Sequence, residues 1–407
     1  MPTHVISPQG LSIRIATTMP WSRTFLSIVV LALAQLLQAQ SAIPIHELAK
    51  SEAQASRHFG FILNVRGLSN GNVLVNDGTN MKVFQLDEKL ANETVIIGNE
   101  TQVYGSRAAP LIAYLSDSTL FVDWASRSLL LIDPDGRMVR PIAPVRAVDM
   151  PQFGNSTSGA DQRGNLVYRA MSSWRIETPD GKLTPPITAD SVAIVRANFA
   201  TRVLDTLTRI KLQPPIAMRD SKDVIGKRIV KTMLNPWLEV DDWAVLSDGT
   251  VAVLRGNDYH VDFFDTDKHM TSGARLPFDF RALSSDEKRH LVDSATVADS
   301  GGIGTLGTAK VFGEYIPASN LPDYFPSIRA GALKPDSDTN LWILPNTSAR
   351  SIAGELVYDV VSNKGVMMYR VRLPKGKAIA GFGKNGVVYL MSKNAEGWLL
   401  ERTRVLK

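Results

Sequence analysis

Apolar and turn-forming residues alternate regularly between Trp243 and Phe278. The stretch reads WAVLS, DG, TVAVLR, GNDY, HVDFF, DTDKH and ARLPF. Asp-Gly between two alternating apolar runs is a strong hairpin signal, because glycine supplies the left-handed backbone that a tight turn needs. The pattern predicts four short antiparallel strands, WAVLS, TVAVLR, HVDFF and ARLPF, joined by three turns.

The same unit recurs along the chain. Its first turn is seen at Asn70-Gly71-Asn72, Ser116-Asp117-Ser118, Arg163-Gly164-Asn165, Asp248-Gly249-Thr250, Asp338-Thr339-Asn340 and Lys384-Asn385-Gly386. The strands that follow are NVLV, TLFVD, NLVY, TVAVL, NLWIL and VVYLM. Several units carry a second turn, as at Asp133-Pro134-Asp135-Gly136 and Ser362-Asn363-Lys364-Gly365. Six such units predict an all-β chain, folded as a six-bladed β-propeller of four-stranded antiparallel blades. One blade cannot bury both faces of its sheet, so neighbours must stack and the ring must close. The strand near Phe61–Val65 is expected to close it by joining the last blade around Leu399–Leu406, since an open edge invites aggregation.

The turns lie about 46 residues apart from unit one to two, two to three and five to six, and much further apart on either side of unit four. Insertions therefore fall there. With strands running outward from the axis, the first and third turns of each blade share one face. The long segments Met171–Asp190, Lys211–Asp242, Arg281–Leu321 and Pro345–Gly354 then share the other. Long loops on a rigid scaffold are where binding usually resides. The Lys211–Asp242 segment is basic in its middle, with Arg219, Lys222, Lys227, Arg228 and Lys231. Arg281–Leu321 should hold a helix, capped by Ser284 or Ser285 with Glu287 completing a capping box. Gly301, Gly302 and Gly304 follow as a flexible stretch.

The N-terminus reads differently. Phe25–Leu37 is FLSIVVLALAQLL, the length of a signal-peptide core and too short to span a bilayer as a helix. Residues 1–41 are thus expected to be an export signal, with Met19 an alternative start, which puts the body of the protein outside the cytoplasm. Residues 42–58 form a lead-in, with a helix expected over His46–Ala55, and residues 59–407 the propeller. Removing Arg14 and Arg23 with the signal lowers the net charge from +5 to 5 − 2 = +3. That charge, without a dense Lys/Arg run, speaks against nucleic acid. The chain has no Cys, which excludes disulfides, thiolate metal sites and Cys nucleophiles.

The stretches Ser247–Arg255 (SDGTVAVLR), Asn257–Asp262, Ser191–Arg196 with Arg202–Thr206, and Leu321–Pro326 with Asn340–Ile343 resemble extracytoplasmic six-bladed propellers of the TolB-like or NHL-like kind. The resemblance runs from about Phe59 to the C-terminus. It implies a fold and is nearly silent on activity. The regular Asn-His-Leu pattern that names one of these families is missing.

Candidate chemistry is sparse. Arg255-Gly-Asn-Asp-Tyr-His260 places Arg255, Asp258, Tyr259 and His260 on the loop-rich face, where they could build a carboxylate-binding or acid/base site. Tyr324 and Arg329 are expected beside them at the mouth of the axial channel. Successive strand residues point to opposite sides, so an Arg–Asp pair tying the loop, with Tyr259 and His260 between blades, is the plainer account. No nucleophile elbow or P-loop occurs. The His residues are scattered, which weighs against a zinc site. An axial calcium ion held by carboxylates, as in lactonase-type propellers, needs no motif, and Asp161, Asp241, Asp242 and Asp336 lie near strand starts or turns. The expectation is a monomeric, extracytoplasmic binding module without cofactor, taking a small molecule or protein on the insertion-rich face. A calcium-assisted hydrolase or lactonase of the propeller type is the alternative.

Overall fold

The computed structural model describes residues 43–98, 104, 108–155, 158–170, 191–211, 218–222, 226–235, 237, 240–298, 304–306, 309–349 and 354–406. The expected export signal over residues 1–41, residues 171–190 and Gly301-Gly302 lie outside them.

Each turn read from the sequence joins the first two strands of an antiparallel sheet. Sheet 1 runs Ile62–Gly67, Val73–Asp77, Lys82–Leu86 and Glu93–Ile97. Sheet 2 runs Ile112–Ala113, Thr119–Asp123, Ser128–Ile132 and Met138–Ile142, and sheet 3 Gly159–Ala160, Leu166–Arg169, Ser191–Ala197 and Leu204–Lys211. Sheet 4 is Asp242–Val245, Val251–Arg255, His260–Phe264 and Met270–Ser272. Its last strand precedes the ARLPF run expected to form it: Leu276 instead lies against the sheet, donating its N–H to Tyr259 O. Sheet 5 is Leu333–Pro335, Leu341–Ile343, Val357–Val361 and Met367–Arg372, and sheet 6 Lys377–Phe382, Val387–Lys393 and Trp398–Arg404.

The architecture is a β-propeller. First strands adjoin from sheet 2 to 3, 3 to 4, 4 to 5 and 6 to 1, and apolar clusters fill the gaps between sheets. Leu74, Val83 and Phe121 lie between sheets 1 and 2, and Leu120, Tyr168 and Val195 between 2 and 3. Val167, Trp243 and Val253 lie between 3 and 4, and Leu254, Tyr259 and Leu341 between 4 and 5. Trp342, Tyr358 and Val388 lie between 5 and 6, and Phe59, Val75 and Tyr389 between 6 and 1. That last junction is tight. Gly381 of sheet 6 pairs with Val65 of sheet 1 in a parallel bridge, and a Cβ on Gly381 would stand 1.9 Å from Val65 O.

Closure differs from the expectation in one respect. Ile62–Gly67 is the first strand of its own sheet, because its turn follows directly. The strand that completes sheet 6 is Ala53–Gln54, antiparallel to Trp398–Arg404. Upstream, Ile45–Glu47 adds to sheet 5 in parallel with Met367–Arg372. The helix expected over His46–Ala55 is therefore a strap of two short strands. Its backbone finds partners on two sheet edges that would otherwise be bare, such as Ala49 N–H to Arg404 O and Glu52 N–H to Arg402 O.

The insertions on either side of sheet 4 meet. Arg228–Leu234, from the first, pairs in parallel with Ala309–Tyr315, from the second, and Met218–Lys222 and Gly304–Leu306 flank them. Gly304, expected in a flexible stretch, is thus in a strand. Lys231 Nζ lies 2.7 Å from Glu314 Oε1 across the pair, so one cation of the basic middle is ion-paired. The helix Ser285–Ala298 packs beside this insert sheet. Its capping box forms as expected: Ser284 N–H donates to Glu287 Oε2 at 2.9 Å and Glu287 N–H to Ser284 Oγ at 3.2 Å. Trp237, Leu283, Leu321 and Phe325 give the insert a buried core of its own.

Candidate functional site

The face bearing the connections between second and third strands, together with the crossovers between sheets, carries the insert. Ser327 Oγ donates to Gly256 O at 2.5 Å, and Asn346 holds both Ser327 O and Pro326 O. The segment leaving the insert is thereby fixed to sheets 4 and 5. Gly256 is required at this junction, since a Cβ there would lie 2.0 Å from Val240 O.

The residues read as a mouth cluster separate. Arg255 donates Nε to Asp262 Oδ2 at 2.7 Å, and Nη1 to Asp241 Oδ2 at 2.9 Å and Arg209 O at 3.0 Å. Asp241 also accepts the Lys211 and Gly256 amides. Arg255 is therefore a tie between the outer strand of sheet 3 and the hairpin of sheet 4. Burial pushes the Asp262 carboxyl up, but the Ser272 hydroxyl and the Arg255 guanidinium outweigh it and leave it below the usual range. Tyr259 is fully buried between sheets 4 and 5, not at the mouth. Its hydroxyl donates to Asp359 Oδ2 at 2.8 Å, and Arg370 Nε donates to Asp359 Oδ1 at 2.8 Å. Burial raises the Tyr259 phenol well above its ordinary value. His260 is half-buried at the strand edge, with Nδ1 2.6 Å from Asp258 Oδ1 and Nε2 3.1 Å from Asp262 Oδ1. Tyr324 is 53% exposed beside the insert, and Arg329 stacks its guanidinium 5.6 Å above the Trp237 ring.

The four carboxylates near strand starts are also dispersed. Asp161 accepts the Arg163 and Asn165 amides of its own turn, and Asp336 accepts the Asn340 amide and Trp342 Nε1–H. Among the described residues no group of three or more His, Cys, Asp or Glu stands close enough to hold a metal ion. At Asp161, Asp241 and Asp336 a calcium ion would have to displace these hydrogen-bond donors.

Asp242 is the exception in character. It begins the first strand of sheet 4, and its Oδ2 accepts the Leu333 N–H of sheet 5 at 2.9 Å. Asn64 holds the same place in sheet 1, six residues before the turn, and binds the residue of sheet 2 that matches Leu333: Asn64 Nδ2 donates to Leu111 O at 3.2 Å and Leu111 N donates to Asn64 Oδ1 at 3.1 Å. The amide both gives and receives, whereas a carboxylate can only receive. Burial pushes the Asp242 carboxyl up to about 6, against the pull of the Leu333, Trp243, Gly331 and Ala332 amides.

Two cations share the field of Asp242, and the sequence reading singled out neither. Arg169 ends the second strand of sheet 3. Alternation along Leu166, Val167, Tyr168 and Arg169 turns Val167 and Arg169 toward sheet 4. The matching residues elsewhere are Asn76, Val122, Leu254, Leu344 and Met391, so a charge stands where the repeat is otherwise apolar or neutral. Lys334 lies in the first strand of sheet 5, next to the residue that Asp242 binds. Its counterpart in sheet 1, Arg66, is answered by the next turn: Arg66 Nη2 donates to Asp117 Oδ1 at 2.9 Å. The place of Asp117 is taken by Gly386 in the first turn of sheet 6. Arg169 and Lys334 make no hydrogen bond or ion pair with a described residue. Burial lowers the affinity of both for their protons, and Asp242 opposes it in each case. Lining up the repeats would have exposed both residues as charges out of place.

A groove of about 480 Å3 lies on the opposite face, between sheets 5 and 6, floored by Trp342, Phe382 and Val388. Its acids are committed to turn amides, as where Asp338 accepts the Asn385 and Gly386 N–H groups.

No protein-family model matches the chain, and no curated protein matches it in sequence. Among solved structures it is similar to virginiamycin B lyase from Staphylococcus aureus, with 10% identity over 87% of this chain and 98% of that one and a TM-score of 0.41. It is similar also to a gluconolactonase from Xanthomonas campestris, with 9% identity over 90% and 99% and a TM-score of 0.38. A third is regucalcin, a calcium-binding protein from Agrobacterium tumefaciens, with 10% identity over 89% and 97% and a TM-score of 0.40. Likeness at this level carries nothing about what this chain binds or catalyses.

Proposed function

We propose that the chain is an extracytoplasmic six-bladed β-propeller that binds a small molecule or a protein partner on its insertion-bearing face. Six apolar clusters, one at each junction between neighbouring sheets including sheet 6 to sheet 1, support the count of six. The apolar run Phe25–Leu37 supports export. Among the described residues no helix is long and apolar enough to cross a membrane.

The observation that carries the binding reading is the insert. Two segments separated by the whole of sheet 4 pair as parallel strands and bury a core of their own. The ring does not need them, because the strap and the six clusters already close it. Structure built on one face of a rigid scaffold, beyond what folding requires, is the usual place of recognition.

The absence of native Cys makes the test direct. Tyr324→Cys places a single thiol on the insertion-bearing face, and Val366→Cys places one on an exposed turn of the opposite face. Each is labelled with an environment-sensitive dye and titrated with metabolites and envelope extract. A saturable response at position 324 with none at 366 is expected. A response confined to 366 would overturn the reading.

A further inference from the structure

We propose that a cleft at the rim of the insertion-bearing face binds a neutral, hydroxyl-rich molecule the size of a single sugar ring. This site goes beyond the binding reading above, because none of its residues belongs to the insert. The cleft measures about 400 Å3, within the range of small-molecule sites. One wall is the connection between the second and third strands of sheet 6, with Asn394 and Glu396. The other is the end of the strap and the crossover into sheet 1, with Gln54, Ser56 and His58, while Leu399 lends apolar surface. Phe59 N–H donates to Trp398 O and Trp398 N–H to Phe59 O, each at 2.9 Å, and Ala55 N–H donates to Leu400 O at 2.9 Å. The two walls are therefore held at a fixed spacing before any ligand arrives.

The turn of sheet 6 holds an acid released from structural work. The same connection in sheets 1 and 2 is tied by a carboxylate: Asp77 accepts the Asn80 N–H at 3.1 Å, and Asp123 the Ala125 and Ser126 N–H groups at 2.9 Å and 3.2 Å. In sheet 6 an amide does this instead. Asn394 Oδ1 accepts the Glu396 and Gly397 N–H groups at 2.9 Å and 3.1 Å, which turns its NH2 group toward His58. Asn394 Nδ2 stands 3.1 Å from His58 Nε2. An NH2 group can only donate, so Nε2 accepts and the ring carries its proton on Nδ1, 3.3 Å from Glu396 Oε2. Glu396 Oε1 is left open among the described residues. The Gln54 amide and the Ser56 hydroxyl make no hydrogen bond with a described residue. The lining thus offers an open carboxylate oxygen beside groups that both give and take. A hydroxyl also does both, so neighbouring hydroxyls on one ring match this set. An anion would be repelled by Glu396, and a simple cation would leave Gln54 and Ser56 unused.

Saturation-transfer NMR of the purified full chain with glucose, galactose, mannose and N-acetylglucosamine, each titrated separately, tests the site. Succinate and ethanolamine serve as the anionic and cationic comparisons. Saturable binding of at least one sugar is expected. Glu396→Gln should weaken it about tenfold, the difference between a charged and a neutral hydrogen bond, and Gln54→Ala should weaken it several-fold. Both side chains are exposed, so both variants should keep the melting temperature of the parent. Silence with every sugar, or sugar binding that neither substitution weakens, would overturn the site. Succinate or ethanolamine binding that Glu396→Gln abolishes, in place of sugar binding, would overturn the class of ligand. Silence here together with a saturable dye response at position 324 would leave the binding face standing and remove only the cleft.

Discussion

Replacing Asp242 by asparagine should stabilise the protein, and the gain should grow with pH. Burial holds the folded-state carboxyl at about 6, against an ordinary value of 3.8. A shift of roughly 2 units corresponds to about 3 kcal/mol at about 1.4 kcal/mol per unit. The sign follows from proton binding: the folded state keeps the Asp242 proton more tightly than the unfolded state. This contribution to stability is present in full below about pH 4 and is lost as pH rises through about 6. Asparagine has the shape of the protonated acid and cannot ionise. Asn64 shows that an amide satisfies the same clamp in sheet 1, giving to and receiving from Leu111. Urea unfolding of both proteins at several values between about pH 4 and about pH 7 measures the effect. The variant should match the parent at the acid end and exceed it by about 3 kcal/mol at neutrality. A difference that stays flat with pH, or a variant weaker than the parent at neutrality, would refute the reasoning.

Three further outcomes follow from the packing. Tyr259→Phe removes the hydroxyl that donates to buried Asp359, leaving that carboxylate oxygen without its partner, and should cost about 1–2 kcal/mol in chemical denaturation. Gly256→Ala drives a methyl group into Val240 O and should cost at least about 2 kcal/mol, lowering soluble yield and melting temperature together. Deleting the chain through Gln54 bares the Trp398–Arg404 edge and strips Arg402 and Arg404 of Glu52. That variant should associate in size-exclusion chromatography where the full chain stays monodisperse.

Local chemistry was legible in the sequence and distant pairing was not. The six first turns announce themselves through residues such as Asp248-Gly249 and Asn70-Gly71, because a tight turn needs glycine or a polar residue at fixed places whatever surrounds it. The capping box of Ser284 and Glu287 is local in the same sense. The insert sheet gave no such signal: Arg228–Leu234 and Ala309–Tyr315 meet only because sheet 4 brings their ends together. The strap was misread as helix since Ile45–Glu47 and Ala53–Gln54 are too short to show a period and gain their hydrogen bonds from edges made elsewhere. In the site, Arg255 and Asp241 were visible as charges, but their pairing into a structural tie depends on the outer strand of sheet 3. Arg169 and Lys334 look ordinary one at a time. They stand out only against Val122, Leu254 and Leu344, or against Ala244 and Ile112, once the sheets are superposed.

Hydrogen exchange of the full chain with and without a saturating amount of whichever compound gives the response at position 324 tests the central claim most directly, since it reports which face responds. Added protection at Leu166–Arg169, Asp242–Val245 and Leu333–Pro335, extending into Arg228–Leu234 of the insert, is the predicted result. Protection confined to the opposite face, at the turns around Asn70, Gly249 and Asn385, would contradict it.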